Sequence, residues 1–498
     1  MISASACSDK RRHAPDDDTP ETAVASPQAP TTPPEPSTSA PSAPPRPAVE
    51  RALSPLEDDS GAHTGTHRWS HAAGSAGIDA VRDVAMDADG NIAVSGYYAD
   101  GIDFGDGEAV AAQTFDAYVI KYDPSGARSF TMHAGGPGED VASAVAFDRD
   151  GALIVAGLFS ERMVLGDKVL EATGSDDVFI AKFDREGALQ WAYAIGGLDS
   201  DGAHDLAVDA DGSVYLTGSF RASMTVAETT LTSKGNEDVF LLKMTPDGAL
   251  DWGKSFGDLY RDSGQRVAVD GEGHVVLLVE FTDEVSFGGP ALKSAGNRDL
   301  ALIKLDADGG HLWSKRYGSP FNELGLGVAV DPAGNIAITG SFDNQIDFGG
   351  GTLRSKGESD VYVAKLGPDG AHLWSKRYGG AREDIGYGVA TDRYGNVAIT
   401  GWFWNELDFG GGPLRAAGQN KDVFLLKLSA TGEHLWSRRF GDRDHDQGRG
   451  VAMSPAGDVA LAGIFRYQLD LGGEALESVR EPQDRAPPPD LFVALFGP

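Results

Sequence analysis

Cysteine is almost absent from the 498-residue sequence, in which Cys7 is the only one. A single cysteine excludes an intrachain disulfide and a zinc site built from several cysteines. No apolar run approaches the length of about 18 residues that a membrane-spanning helix needs. Basic residues are few, since 42 Lys and Arg face 75 Asp and Glu and give a net charge of −33. Because this charge repels nucleic acid and anionic lipid, we expect no nucleic-acid partner. The lack of a long apolar run predicts no transmembrane segment.

Large apolar residues are scarce between Ser8 and about Gly65, a segment that holds 12 of the 26 prolines. Such a segment cannot bury enough apolar surface to offset the entropy lost on folding. We therefore predict a disordered, Pro-rich tether at 1–65 and a folded domain at 66–498.

Cys7 follows Ala4-Ser5-Ala6, which resembles the lipobox of bacterial lipoproteins, where small residues precede a cysteine that becomes lipidated. The usual leucine is replaced by Ala4, and the charged and apolar parts of a signal peptide are missing. A start codon assigned too far downstream, or a trimmed signal, would explain both the missing export segment and the lipoprotein-like proline spacer. We expect lipidation of Cys7 and an outer-membrane-type lipoprotein of the cell envelope or exterior, and a chance cysteine in a cytosolic chain is the alternative.

The rest of the sequence repeats with a period of 61 or 62 residues. Two columns show this spacing independently. The aromatic column is Trp69, Phe130, Trp191, Trp252, Trp313, Trp374 and Trp436. The acidic column is Asp79, Asp140, Asp201, Asp262, Glu323, Asp384 and Asp446. A fixed period of this length indicates a repeat architecture.

Each repeat predicts four antiparallel strands, which we call a to d. In the fifth repeat, strand a is expected to start at Val328, strand b at Asn335, strand c at Asp360 and strand d at His372. Turns that contain glycine separate them. Strands b and c are apolar on both faces, as expected for sheets packed between neighbours, whereas Lys376 and Arg377 in strand d indicate a charged outer edge. This pattern predicts an all-β, seven-bladed β-propeller.

The ends of the sequence predict how the ring closes. The last repeat has strands a, b and c but no d. The sequence around Trp69 matches strand d of the other repeats and has no strands a to c before it. We therefore expect six whole blades and one composite blade that the N-terminal strand completes.

The repeat motifs resemble those of the bacterial seven-bladed β-propeller repeat family, abbreviated SBBP. The motifs that carry the resemblance include Asn91-Ile-Ala-Val-Ser-Gly96, Asp116-Ala-Tyr-Val-Ile-Lys-Tyr-Asp-Pro-Ser-Gly126 and Gly135-Gly136. The resemblance covers residues 66–498 and implies a secreted or envelope-associated bacterial protein, but no shared activity or ligand. Blade 7 departs from the pattern, with a longer connection between strands b and c and Leu495 in place of a lysine.

Columns that recur in every repeat are interpreted as scaffold. The acidic column should lie in loops from strand d to the next strand a, around the mouth of the central channel. Seven carboxylates there would hold a cation or attract a basic partner, and the alternative is that each one caps its own loop. Asp444-His445-Asp446 lacks further ligands, so no metal site or cofactor is predicted.

Positions that vary among the repeats on the same side are our candidates for partner binding. They are aromatic, basic or histidine side chains at loop or strand ends, namely Tyr260, Arg261, Phe321, Arg382, Trp402, Trp404 and His445. Aromatic residues and arginine are enriched at binding hot spots.

Catalytic motifs are missing: no nucleophile elbow, zinc-protease helix or phosphate-binding glycine loop occurs. We therefore expect a non-catalytic, monomeric binding or scaffold protein of the cell envelope with a protein or glycan partner. The alternative is a propeller enzyme, glycosidase-like or quinoprotein-like. Three arginines converging in the channel mouth would favour the glycosidase-like alternative.

Overall fold

A computed structural model describes residues 63–104, 109–479 and 487–498. Cys7 and the predicted tether up to residue 62 lie outside the described residues. Within them, the chain forms seven four-stranded antiparallel sheets, each in the order a, b, c, d. The seven a strands contact one another in a closed ring, which makes them the innermost strands. The predicted seven-bladed β-propeller is confirmed.

The strand bounds follow the repeat. Blade 1 contains Ala80–Met86, Ile92–Asp103, Ala109–Tyr122 and Arg128–Ala134; blade 2 contains Asp140–Phe147, Leu153–Leu165, Lys168–Phe183 and Leu189–Ile195; blade 3 contains Gly202–Val208, Val214–Phe220, Asp238–Met244 and Leu250–Phe256; blade 4 contains Ser263–Val269, Val275–Phe281, Asp299–Leu305 and His311–Tyr317; blade 5 contains Glu323–Val330, Ile336–Ile346, Leu353–Leu366 and His372–Tyr378; blade 6 contains Ile385–Thr391, Val397–Trp404, Lys421–Leu428 and His434–Phe440; blade 7 contains Gln447–Met453, Val459–Phe465, Asp490–Phe496 and His67–Ala73.

The connections from strand b to strand c also form hairpins. In blades 1, 2 and 5 the long b and c strands continue into the hairpin. Blades 3, 4, 6 and 7 have separate hairpins, formed by Ser223–Val226 with Thr229–Thr232, Glu284–Val285 with Leu292–Lys293, Glu406–Asp408 with Pro413–Arg415, and Gln468–Leu469 with Leu476–Glu477.

Blade 7 closes the ring without a covalent link. His67–Ala73 pairs with Asp490–Phe496, which confirms the predicted composite blade. The two chain segments also replace the missing turn, since the N–H of Thr64 donates to the carbonyl oxygen of Pro498 (2.8 Å) and the N–H of Gly497 donates to that of Thr66 (2.8 Å).

The tryptophan column joins each blade to the next. Trp191 in strand d of blade 2 donates its indole N–H to the carbonyl oxygen of Pro246 in blade 3 (3.2 Å), and four other tryptophans repeat this bond to the following blade. Trp436, which faces the closure, has no partner for its indole nitrogen among the described residues. This exception lies beside blade 7, where strands c and d come from different ends of the chain and no c-to-d turn connects them.

A lysine column in strand c forms a second set of contacts between blades. Lys365 lies 2.8 Å from Asp331 in the first turn of its own blade, and its ammonium group also donates to the carbonyl oxygen of Gly395 in the next blade (2.6 Å). Both members of this ion pair are buried, as are Lys427 and Asp392. Each lysine thus pairs with an acid of its own blade and bonds the backbone of the next blade.

The outer edge differs from the prediction in one respect. The arginine that ends each basic pair turns inward to the aspartate at the start of strand c, as Arg316 does to Asp299 (2.5 Å) and Arg439 to Asp422 (2.5 Å). These aspartates also accept loop N–H bonds, for example from Ala295 to Asp299. The charges therefore hold the loop as well as covering the edge. No helix in the described part of the chain is long and apolar enough for a membrane span.

Candidate functional site

The loops from strand d to strand a and the connections from strand b to strand c lie on the same side of the ring. Arg261 of a d-to-a loop is 3.1 Å from Glu237 of a b-to-c connection, and a backbone bridge joins the same two residues. We call this side the loop face. The a-to-b and c-to-d turns form the opposite side, which we call the turn face.

The predicted acidic ring lies beneath the loop face but does not line the channel mouth with charge. All seven carboxylate residues are at most 1% exposed. Asp201, Asp262, Asp384 and Asp446 each accept one backbone N–H from their own loop and a second from the end of strand b in the same blade. Each of these four side chains thus caps its own loop, as one of the two interpretations of the ring expects, and the burial of all seven leaves none exposed to a cation or a partner.

Burial changes the charge of these acids. It raises the pKa of Asp79, Asp140 and Asp446 to about 8, and that of Asp201, Asp262, Glu323 and Asp384 to about 7. Loop hydrogen bonds oppose the shift, for example the Ser75 hydroxyl and N–H at Asp79. The ring is therefore partly protonated near neutral pH and attracts basic partners less than seven free carboxylates would.

Blade 6 and the two loops that flank it bring together the basic and aromatic candidates. Arg382 lies over the ring of Trp404, with its guanidinium carbon 5.0 Å from the ring centroid. The ring of His445 packs edge-on against Trp404 at 5.7 Å. Lys421, at the start of strand c, lies 6.0 Å from the Trp404 ring centroid. We call Arg382, Trp404, Lys421 and His445 the cation–aromatic cluster.

Trp402 is not part of an accessible surface. It is 2% exposed and lies beneath Lys421, whose ammonium nitrogen is 3.4 Å from the centre of its ring. The expectation that Trp402 contacts a partner is therefore wrong, because its side chain is buried and Lys421 covers its ring. Trp402 instead supports Lys421 from below.

Lys421 is the functional candidate that our sequence analysis missed. It precedes Asp422 of a recurring aspartate column, and the residue in this position changes from blade to blade, for instance Glu237, Arg298 and Ser359. This variation beside a fixed column was the available signal. Burial lowers the pKa of Lys421, while Glu383, at 3.6 Å, raises it.

His445 carries little positive charge in the cluster. Burial lowers its pKa, Asp444 opposes this shift, and Lys421 and Arg466 reinforce it. Within residues 63–104, 109–479 and 487–498, no three His, Cys, Asp or Glu side chains come together as metal ligands.

Three successive d-to-a loops present Tyr260, Phe321 and Arg382 at the same repeat position. Tyr260 is 51% exposed and Phe321 is 45% exposed. Leu198 and Leu259, one position earlier in their loops, are more than 70% exposed, at 79% and 75%. The structure therefore places an apolar stretch on the loop face beside the cation–aromatic cluster.

Arg261 differs from its neighbours because it is held by the protein. Its side chain is ion-paired with buried Glu237, which also binds Arg221 at 3.2 Å. Arg261 therefore stabilises the loop that presents Tyr260.

Comparisons with known proteins give distant matches. No protein-family model matches the chain. An uncharacterized WD repeat-containing protein of Acanthamoeba polyphaga mimivirus is 21% identical over 500 residues, covering 80% of this chain and 36% of that protein. Regulatory protein FlaEY of Caulobacter vibrioides is 24% identical over 432 residues, covering 77% of this chain and 42% of that protein. The chain thus spans less than half the length of these curated relatives.

Matches among solved structures include Sqt1 from Chaetomium thermophilum, with 12% identity and a TM-score of 0.39 over 88% of this chain and 99% of that chain. The PQQ-bound aldose sugar dehydrogenase of Streptomyces coelicolor matches with 13% identity and a TM-score of 0.31 over 71% of this chain and 93% of that chain. The resemblance to the SBBP family stays a prediction from the sequence.

Proposed function

We propose that the protein is a non-catalytic binding scaffold whose loop face holds a protein or glycan partner at the cell envelope. The observation that carries this proposal is the exposure of Leu198, Leu259, Tyr260 and Phe321 on consecutive loops next to the cation–aromatic cluster. Exposed apolar side chains rimmed by charged groups are typical of interaction sites.

The chemistry of this face favours a partner with both apolar and anionic groups. Arg382 lies over an aromatic ring, where its guanidinium group can still donate hydrogen bonds to a carboxylate or hydroxyl. The aromatic residues offer flat apolar contact, which suits a protein side chain or a sugar ring.

The location belongs to the same proposal. We propose that lipidation of Cys7 anchors a monomeric propeller to the envelope, with the Pro-rich segment as spacer. The lipobox-like residues and the SBBP resemblance support it. Metabolic labelling with an alkyne fatty acid tests the anchor, since label is expected on the parent chain and lost in Cys7→Ser.

Capture from an envelope extract tests the binding face. The full chain is compared with Arg382→Ala/Trp404→Ala on the loop face and with a matched control, Arg149→Ala/Glu186→Ala, on the turn face. We expect one component that the parent and control retain and the loop-face variant loses. Protease and glycosidase treatment of the extract then tells a protein from a glycan. Equal retention by all three proteins, or no retained component, contradicts the proposal.

One observation favours the enzyme alternative. Three arginines, Arg82, Arg266 and Arg449, interact electrostatically in the central channel. The nearby acids Asp83 and Asp205, however, accept backbone hydrogen bonds from Val145 and Val267 of the next blades. Their carboxylates are engaged in joining blades, so we keep the scaffold as the proposed function. Turnover of fluorogenic glycosides by the parent chain, lost in Arg449→Gln, would favour the enzyme.

A further inference from the structure

Each a strand, the innermost strand of its blade, contains a β-bulge that is not part of the loop face. In every a strand, the pairing with strand b skips one residue at the same repeat position. One side chain per blade is thereby released from the sheet pattern at the ring's inner edge. These residues are Arg82, Ser143, His204, Gln265, Leu326, Tyr387 and Arg449.

The two bulge arginines come from adjoining blades of the ring. Arg82 lies in blade 1 and Arg449 in blade 7, and strand a of one contacts strand a of the other. In blade 1, Val81 and Val84 are buried whereas Arg82 between them is exposed. Since the a strands enclose the channel, this guanidinium group is in the channel.

Arg266 adds a third positive charge from blade 4, across the channel. The surrounding channel wall desolvates the Arg82 guanidinium group, although water still reaches it, and this effect lowers its pKa most; repulsion from Arg449 and Arg266 lowers it further, while Tyr97 and Tyr387 oppose the shift. Arginines in such proximity repel one another unless an anion lies between them.

Arg266 is the channel arginine that has acidic neighbours. Asp83 and Asp205 both interact electrostatically with Arg266. They also bond the N–H groups of Val145 (3.0 Å) and Val267 (2.7 Å), so they are fixed near blades 2 and 4. Both carboxylates thus interact with Arg266, and each one also links its own blade to the next.

Arg82 and Arg449 have aromatic rather than acidic neighbours. The guanidinium carbon of Arg82 is 5.2 Å from the centre of the Tyr97 ring, and that of Arg449 is 4.6 Å from the centre of the Tyr387 ring. Within the residues that the structure describes, neither guanidinium group donates a hydrogen bond or forms an ion pair. His204 adds little positive charge, because burial lowers its pKa; the bond from its Nδ1 to the carbonyl oxygen of Gly264 (2.9 Å) opposes this shift.

We propose that the central channel binds a small oxyanion, a carboxylate or a phosphate, between the guanidinium groups of Arg82 and Arg449. Each arginine brings several N–H donors in a planar fork that matches such oxygens. The aromatic rings hold the two forks in place. On a chain with a net charge of −33, this channel is a local site where an anion is attracted.

Isothermal titration calorimetry on the full chain tests this site, with sodium phosphate and sodium glucuronate as probes at matched ionic strength. We expect saturable binding of at least one probe, at about one site per chain, weakened about tenfold or more in Arg82→Gln and in Arg449→Gln. Arg149→Gln, an exposed turn-face change, should bind as the parent does. The preferred probe tells a phosphate ligand from an acidic sugar or other carboxylate.

Two results would overturn the proposal: no saturable binding of either probe, or binding that both channel variants retain. Failure to fold is checked by circular dichroism and thermal unfolding without probe. Removing one of several like charges should leave the melting temperature equal or higher. Arg382→Ala/Trp404→Ala should still bind the oxyanion, so this site and the loop-face function can fail separately.

Discussion

The indole nitrogen of Trp313 donates a hydrogen bond to the carbonyl oxygen of Pro368 in the next blade, 3.0 Å away. The bond links strand d of blade 4 to the turn before strand d of blade 5. Trp313→Phe keeps most of the packing and should lower the free energy of unfolding by about 1 kcal/mol, because the bond is lost. Trp313→Ala should cost about twice as much or more, since ring contacts are lost too.

Urea unfolding monitored by circular dichroism measures both changes. Leu312→Ala, an exposed neighbour in the same strand, is the matched control and should change the stability by less than about 0.5 kcal/mol. Equal effects of Leu312→Ala and Trp313→Ala would show that the tryptophan column does not join the blades.

Loss of the buried Lys365–Asp331 ion pair should cost more stability than loss of a surface ion pair. Lys365→Met leaves the buried Asp331 without its cation and should destabilise the protein by about 3 kcal/mol. Arg415→Met, which removes the exposed pair with Glu406, should cost at most about 1 kcal/mol. Thermal unfolding ranks the two variants, and the reverse order would contradict a structural role for the lysine column.

The raised pKa of Asp140 predicts how the free energy of unfolding depends on pH. Burial and, to a lesser extent, the charge of Asp116 raise its pKa in the folded protein to about 8, against the opposing effect of the Gly136 N–H. The folded state therefore holds the proton more tightly than the unfolded state, so this residue's contribution to stability falls as the pH rises from about 4 to about 8.

Asp140→Asn removes the titration. Relative to the parent, its free energy of unfolding should rise with pH, by at most about 1.4 kcal/mol per pH unit. Unfolding in urea between about pH 5 and pH 8 measures the difference. A difference that does not change with pH would show that Asp140 ionises normally.

Ring closure predicts the effect of removing the first described strand. Deletion of residues 1–74 removes His67–Ala73 and leaves the fully buried strand Asp490–Phe496 as an open edge. We expect a lower melting temperature and association through this edge. Deletion of residues 1–62, which keeps the strand, is the control. Light scattering and thermal unfolding distinguish the two, and a stable monomer after the longer deletion would contradict closure by this strand.

The blades and their closure could be predicted because the residues that build a blade recur at the same positions of the repeats. The tryptophan and aspartate columns mark the turns, and the unmatched strand around Trp69 shows where the ring closes. Side-chain direction was harder to predict. Trp402 and Trp404 lie two positions apart, yet one is covered by Lys421 and the other packs at the loop face, which the periodicity of strand b does not distinguish.

The channel was missed for a local reason. We expected strand a of blade 5 to begin at Val328, but it begins at Glu323. A glycine-rich sequence, here with Gly325 and Gly327, is typical of loops. We therefore predicted a loop where strand a in fact begins. The bulge lies in this stretch, so its side chains, Arg82 and Arg449 among them, were not considered as channel residues.

Site-specific photo-crosslinking in living cells tests the central claim, that the loop face binds a partner, most directly. A benzophenone amino acid replaces Phe321 on the loop face or Glu186 on the turn face of the full chain. We predict one discrete crosslinked species from position 321, absent when Arg382→Ala/Trp404→Ala is added, and none from position 186. The same species from both positions, or none from position 321, would contradict the account.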